Sequence, residues 1–352
     1  MFKRYLKIIL LILLVALPLS CKKEKKEETM HMKGSVNYDF PEYVMVGQKV
    51  HSYMSGITYP KDVKYKWVSD GLNISKNDTV ISRTLDFTVG KDVGTFTLIG
   101  YAVAEGYYTM SKYTTVRVLS PSGSSVSGIE ESEKIFEDER DGEKYYVQDI
   151  GDLQWFTQNL RYAGDTANVN PALRDTLGSA YQHSEKISLI FGRLYSWNDA
   201  TGGKTGSGLA GGPQGACPEG WSVPTKEDWL NLANAVSSQK IEDYNDYWEG
   251  VGEALSAKIK LNEESMWPYS PDNLHKNTFG WNGIPSGNSK DDYQDFENIA
   301  KYGMWWTAAE SDGGKYGCYR YMYYNNSYFI PHQIDKNAYG MSVRCVKLIE
   351  KP

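Results

Sequence analysis

Between Gly34 and Leu119 the apolar residues fall in short runs: VMVGQKV, KYKWVS, LDFTV, GTFTLIGYAVA and TTVRVL. Gly, Asp and Pro separate them, the punctuation of strands and turns. In TTVRVL, Thr114, Val116 and Val118 alternate onto one side, the two-residue period of a half-buried strand. The pattern predicts an all-β sandwich over residues 34–119, with Trp67 in an early-middle strand, buried between its sheets. No cysteine lies in this span, so no disulfide pins the sheets there.

PSGSSVSG follows, and residues 120–128 read as a flexible Ser/Gly linker. A second domain is expected over residues 129–352. It opens with IFEDERDGEKYYVQDIGDLQWFTQNL, where Asp141-Gly142 between two β-rich runs predicts a hairpin. FGRLYSWNDA, residues 191–200, reads as a short amphipathic segment. The glycine-rich stretch from Gly202 to Gly215 lacks the spacing and the strand–helix frame of a phosphate-binding loop.

The period changes at PTKEDWLNLANAV. Thr225 and Asp228 have the spacing of a capping box, and Trp229, Leu232, Ala233 and Val236 then recur as one face of a helix. Pro224 and Trp229 occupy the two places of a hydrophobic staple. Cys217 sits just upstream, before a Gly220-Trp221 turn, where it can tie the helix start to another element.

The amino terminus is of a different kind. MFKRYLK carries three positive charges, and IILLILLVAL is a ten-residue apolar run, too short to span a bilayer. With the following LPLSC, residues 1–21 resemble a bacterial lipoprotein signal with Cys21 as the lipidated residue, although Pro18 stands where that pattern prefers Leu. Residues 22–33 begin KKEKKEE, a charged tether that resembles the surface-export tag of Bacteroidetes-type lipoproteins. The resemblance implies an outer-membrane, lipid-anchored protein exposed at the cell surface, meeting the membrane only through acyl chains.

At 352 residues the chain is long enough for two cores. Its net charge of -6, with no basic cluster after the tether, argues against nucleic-acid binding. Twenty-seven tyrosines and ten tryptophans suit strands and wet binding surfaces. An exported chain permits a disulfide. Cys217 is expected to pair with Cys345 in the terminal MSVRCVKL strand, closing a loop of more than a hundred residues for ~4–5 kcal/mol. Cys217–Cys318 and Cys318–Cys345 stay open as alternatives.

Several motifs then occur in order: Asp141-Gly142, Gln154-Trp155, Asn159-Leu160, Gly192-Arg193-Leu194-Tyr195, Trp197, Cys217-Pro218, Gly220-Trp221, Val223-Pro224-Thr225, Trp229, Pro285, Gly287, Trp306 and Val343-Arg344-Cys345. Together, over residues 135–348, they resemble the Fibrobacter succinogenes major paralogous domain, with Phe156 and Ser222 as mild departures from its usual Met and His. That family is similar in pattern to C-type-lectin-like folds of the formylglycine-generating type. The first module likewise resembles a bacterial Ig-like domain. The expected fold is thus an all-β Ig-like sandwich followed by an α+β C-type-lectin-like domain, the first module serving as a spacer.

A fold of this kind hosts binding, adhesion and oxidase chemistry, so residues must decide. The oxidase requires paired reactive cysteines in the late loops, and only Cys318 is there. Trp197-Asn198-Asp199 copies a lectin tripeptide but precedes the helix, away from the lectin position. SKDDYQDFE, residues 289–297, reads as a solvated acidic loop, with calcium as the lesser reading. His31, His51, His183, His275 and His332 share no zinc spacing. No catalytic residue, metal site or cofactor is therefore expected.

Tyr319, Tyr321 and Tyr323 alternate onto one strand face, and Tyr324-Asn325-Asn326-Ser327-Tyr328 reads as a turn. Tyr, Asn and Ser form adaptable binding surfaces, and a Tyr-rich sheet packed on the core is the other reading of this segment. The expected ligand-binding residues are Trp305, Trp306, Tyr319, Tyr321, Tyr323, Asn325, Asn326, Tyr328 and His332. The function expected from them is non-catalytic binding of a glycan or a surface protein. A structural or assembly subunit of the envelope or fimbriae is the alternative, and a polysaccharide-acting enzyme the third reading.

Overall fold

The computed structural model describes residues 29–120, 125–164, 177–241 and 247–350. The signal segment with Cys21 lies outside the described residues, as does the charged run that follows it. The described chain is mostly β, with short helices.

The first module builds β1 (Lys33–Asn37), β2 (Tyr43–Met45), β3 (Lys49–Tyr53), β4 (Ser55–Tyr59), β5 (Lys64–Ser69), β6 (Thr79–Val80), β7 (Thr84–Thr88), β8 (Gly94–Val103) and β9 (Met110–Leu119). One sheet runs β2-β9-β8-β5-β6, and two ribbons, β1-β4 and β3-β7, cover it. Their shared core takes Trp67, Leu98 and Val116 from the sheet and Val36, Val50 and Leu85 from the ribbons. Trp67 is fully buried, 4.8 Å from the Tyr38 ring. That ring lies on Gly100, where an added Cβ would meet it at 2.8 Å. The tether reading stops short of residue 33: Met30 pairs with Tyr107 and Met32 is buried.

The connection is not a flexible spacer throughout. Residues 121–124 lie outside the described set, but Ser125 is buried, and β10 (Val126–Ser127) is hydrogen-bonded into the second domain. Tyr43, Met45 and Leu119 of the first module enter the main core of the second. Tyr43 packs edge-on against Phe191 at 5.7 Å, and Ser184 Oγ donates to Gln48 Oε1 at 2.8 Å. Buried apolar contact fixes the two modules against each other, and an exposed spacer would leave these residues wet.

The second domain continues with β11 (Lys134–Glu137), β12 (Lys144–Ile150), β13 (Leu153–Phe156), β14 (Ser179–Ala180) and β15 (Arg193–Ser196). Helix α1 (Trp197–Thr201) and helix α2 (Lys226–Val236) come next, then α3 (Val251–Leu255), β16 (Lys260–Leu261) and β17 (Glu264–Ser265). The chain ends with β18 (Ser286–Lys290), β19 (Asp295–Ile299), β20 (Tyr302–Ser311), β21 (Tyr316–Tyr323), β22 (Ile330–Asp335), β23 (Tyr339–Met341) and β24 (Val346–Leu348). The sheets run β11-β12-β13-β24, β14-β15-β23-β18-β19, β20-β21-β22 and β10-β16-β17. FGRLYSWNDA is thus a strand that turns into a helix, with Ser196 capping α1 by accepting from the Asp199 amide. The acidic stretch 289–297 is a β18–β19 hairpin, not a loop. Lys290 pairs with Glu297 across it at 3.1 Å, so its carboxylates are spread along two strands.

Helix α2 carries the capping box: Thr225 Oγ1 accepts from the Asp228 amide at 3.1 Å, and the Thr225 amide donates to Asp228 Oδ2 at 2.8 Å. Trp229, Leu232 and Ala233 face the core. Cys217 is bonded to Cys345, 128 positions later. Asp138 and Arg140, just before the Asp141-Gly142 turn, hold the cysteine's approach. The Arg140 guanidinium pairs with buried Asp138, donates to the Ala216 and Cys217 carbonyls, and stacks on Tyr162.

Two predictions follow from this packing. Replacing both Cys217 and Cys345 with Ala is expected to lower the unfolding free energy by roughly 2–5 kcal/mol, measured by urea titration, because the open chain regains loop entropy. The second concerns His275, stacked on Trp267 at 4.9 Å, with Nδ1 3.0 Å from Ser256 Oγ and a buried Nε2 that has no hydrogen-bond partner among the described residues. Burial pushes its pKa down to about 4. A depressed imidazole pKa means that the fold accommodates the neutral ring. Its contribution is complete above the unfolded value of ~6.5 and is lost as pH falls towards 4. His275→Asn should flatten the fall in stability between pH 6.5 and 4 relative to the native chain. Parallel pH profiles of the two would contradict this assignment.

Candidate functional site

Strand β20 lies between two cores. Trp305 belongs to the core shared with Trp155, Trp229 and Trp281, while Trp306 belongs to the other, with Tyr195, Trp197 and Met304. Both indoles are fully buried. Trp305 Nε1 donates to Asn159 Oδ1 at 2.9 Å, and Trp306 Nε1 to the Tyr195 carbonyl. Neither can meet a ligand, because a strand covered on both faces buries consecutive residues. Tyr319 is also nearly buried, at 6% exposure, edge-on to Trp306 at 6.0 Å.

Beyond Tyr319 the cover thins. Antiparallel pairing sets Tyr302 opposite Tyr323 and Tyr319 opposite His332. Tyr302 stacks on Tyr323 at 4.3 Å and lies 5.8 Å from Tyr321, while Tyr321 and Tyr319 approach His332 at 6.4 and 5.6 Å. Tyr324 closes the row edge-on to Tyr323 at 4.5 Å. The row grades from buried Trp306 and Tyr319 through half-buried Tyr321, Tyr302 and Tyr323 to exposed His332. Of the turn, Asn325 is exposed, while Asn326 and Tyr328 are half-buried; Asn326 Oδ1 accepts from the Tyr328 amide at 3.0 Å and so shapes the turn itself.

A cleft of about 450 Å³ adjoins this row. Lys226, Tyr247, Cys318, Arg320 and Gln333 line it, and Tyr319 and His332 belong to it as well. Arg320 lies over the Trp248 ring at 3.2 Å and donates to the Phe329 carbonyl. Burial raises the Cys318 pKa, so its sulfur is a thiol at neutral pH and a poor nucleophile. The hydrogen bond to Tyr324 is the main cause that pushes Tyr323 up to about 12. The Tyr323 phenol therefore stays neutral at physiological pH and can both donate and accept. The arrangement offers ring faces, hydroxyls and two cations, which equips it to hold a ligand. Among the described residues no three His, Cys, Asp or Glu side chains converge on a metal position. No described helix is long and apolar enough to cross a membrane.

Residues 149–347, more than half the chain, match the Fibrobacter succinogenes major domain. The chain belongs to that family. No curated protein matches it. The whole aromatic row and its cleft fall inside the Fibrobacter succinogenes major domain, as do Trp229, Asn159 and both bonded cysteines. Asp199 of the Trp-Asn-Asp tripeptide is occupied structurally, accepting from Tyr293 Oη at 2.7 Å and from the Gly178 amide.

Tyr302, Tyr324, Tyr247, Lys226 and Arg320 are missing from the residues expected from sequence. Tyr302 had only a partial signal: the Asp312-Gly313-Gly314 turn predicts that β20 and β21 pair, but uninterrupted pairing would set Tyr302 opposite Asn325, and a register shift between Trp306 and Glu310 brings it to Tyr323 instead. Tyr247 had none, because its place depends on tertiary packing.

A pair of substitutions separates core from surface. Trp306→Ala is expected to cost about 3–5 kcal/mol of stability, and Tyr321→Ala less than about 1.5 kcal/mol, by denaturant titration. Equal losses would place Tyr321 in the core.

Proposed function

We propose that this protein is a non-catalytic binding protein whose Fibrobacter succinogenes major domain holds a glycan on the tyrosine row of β20–β22. One observation carries the reading: half-exposed rings of Tyr302, Tyr321 and Tyr323 stand side by side with His332, along a cleft bearing Lys226 and Arg320. A phenol ring presents an apolar face and a polar edge, and a sugar presents C–H faces and hydroxyl edges, so the two surfaces match without a metal. Such rings lose little side-chain entropy on binding.

In this reading the domain is C-type-lectin-like in fold. The chain is anchored through Cys21 in the outer membrane and faces outward. The first module holds the domain at a set orientation through Tyr43, Met45 and Leu119. An assembly role in the envelope is the second reading, favoured by Ile81, 78% exposed just after the short edge strand β6. A surface apolar residue beside an edge strand is a place for another chain to dock.

The test is a glycan array probed with residues 29–352 in calcium and in chelator. Binding that survives chelation and falls at least tenfold in Tyr321→Ala/Tyr323→Ala, with the thermal midpoint shifted by only a few degrees, is the expected outcome. Binding that needs calcium would transfer the site to the acidic hairpin. No binding to any glycan would reject the lectin reading and leave assembly, followed by sizing chromatography and pull-downs with envelope proteins.

A further inference from the structure

A second cleft ends on an unbalanced charge. Arg344 is fully buried. Its Nε donates to Asn159 Oδ1 at 2.8 Å, Nη1 to the carbonyls of Phe156 and Trp281 at 3.0 and 2.8 Å, and Nη2 to the carbonyl of Asn282 at 2.7 Å. The guanidinium also lies over the Trp281 ring at 4.4 Å. Every one of these partners is neutral. Among the described residues no carboxylate pairs with it, and burial alone draws its pKa well below the ordinary value. A guanidinium has five N–H hydrogens, so one on Nη2 has no acceptor among the described residues.

Buried charges are ordinarily paired, since leaving one uncompensated costs several kcal/mol. Here the space for a counter-charge is present. Arg344 lines a cleft of about 290 Å³, together with Gln158, Ile129, Leu189 and Ile190. Gln158 Oε1 accepts from the Tyr146 amide at 3.0 Å. Its Nε2 has no partner among the described residues and can donate. The cleft is thus lined by a cation and amides together with the aliphatic Ile129, Leu189 and Ile190. The exposed Glu131 carboxylate, hydrogen-bonded to Tyr146, lines the cleft as well.

We infer that this cleft binds a small organic monocarboxylate, its head on Gln158 and drawn there by the uncompensated charge of Arg344 buried beneath, its aliphatic tail among Ile129, Leu189 and Ile190. A dianion such as phosphate fits less well, because it would meet one cation, the nearby Glu131 and apolar walls. Val126 and Ser127 of β10 line the same cleft, so an occupant would also brace the connection between the two modules. The site is separate from the tyrosine row and does not depend on the glycan reading.

The experiment uses the full chain and sodium butyrate, with butyramide as neutral isostere and sodium chloride at matched ionic strength. Thermal midpoint and tryptophan fluorescence are read against concentration. Butyrate should give a saturable rise in midpoint, with a dissociation constant of roughly millimolar size for so few atoms. Butyramide and chloride should give none. Leu189→Trp, at an exposed rim position, should weaken the response on the order of tenfold while moving the unliganded midpoint by only a few degrees. Glu131→Gln should strengthen it about two- to threefold by removing a like charge. No response to butyrate, an equal response to butyramide, or an unchanged response in Leu189→Trp would overturn the assignment.

Discussion

Asn159 and Arg344 form the hydrogen-bonded centre on which the second domain depends. Asn159 Oδ1 accepts from both Arg344 Nε and Trp305 Nε1, and its Nδ2 reaches the Phe191 carbonyl and the hydroxyls of Ser286 and Ser342. Arg344 reaches onward to Phe156, Trp281 and Asn282. Two side chains thereby join segments that sheet pairing alone leaves apart. Gly192 is part of the same arrangement. Its φ of +79 is a left-handed conformation, and an added Cβ would stand 2.4 Å from the Asn159 Cβ. In a low-dielectric interior such a network is stable only when nearly every donor and acceptor is matched.

Much of this was legible in the chain, and the reasons differ from residue to residue. The capping box at Thr225 and Asp228 is local chemistry, so spacing alone reveals it. The Cys217–Cys345 bond was one of three pairings, and the structure has the one that ties the helix start to the terminal strand region. Trp305 and Trp306 were expected at a ligand surface, but β20 has a core on each side and buries both, a tertiary arrangement with no local signal. The acidic stretch resembled a loop by composition, yet Asp291, Asp292 and Tyr293 take left-handed φ values in a turn that returns the chain to pair with itself. The buried Arg344 had no local signal, because its environment is assembled from residues far away along the chain.

Under the proposed function, the tyrosine row lets one strand serve packing and recognition together. At Tyr319 the β21 face is core, and a few residues later it is open. Core burial of the inner rings holds the outer ones in a fixed row, so little ordering remains to be done on binding. The same logic extends to the join between modules, where Tyr43 and Leu119 occupy the second domain's core. An orientation set by buried side chains keeps the row in a constant direction relative to the first module.

The Cys217–Cys345 bond also has a mechanical meaning. The tyrosine row lies between the two cysteines in sequence. If the chain is pulled between its amino-terminal side and Tyr321, the slack beyond Cys217 does not run through the hundred or so residues that precede Tyr321. It runs across the sulfur bridge and back from Cys345, about 80 Å of extended chain in place of about 350 Å. Under load along that path the domain is a short leash.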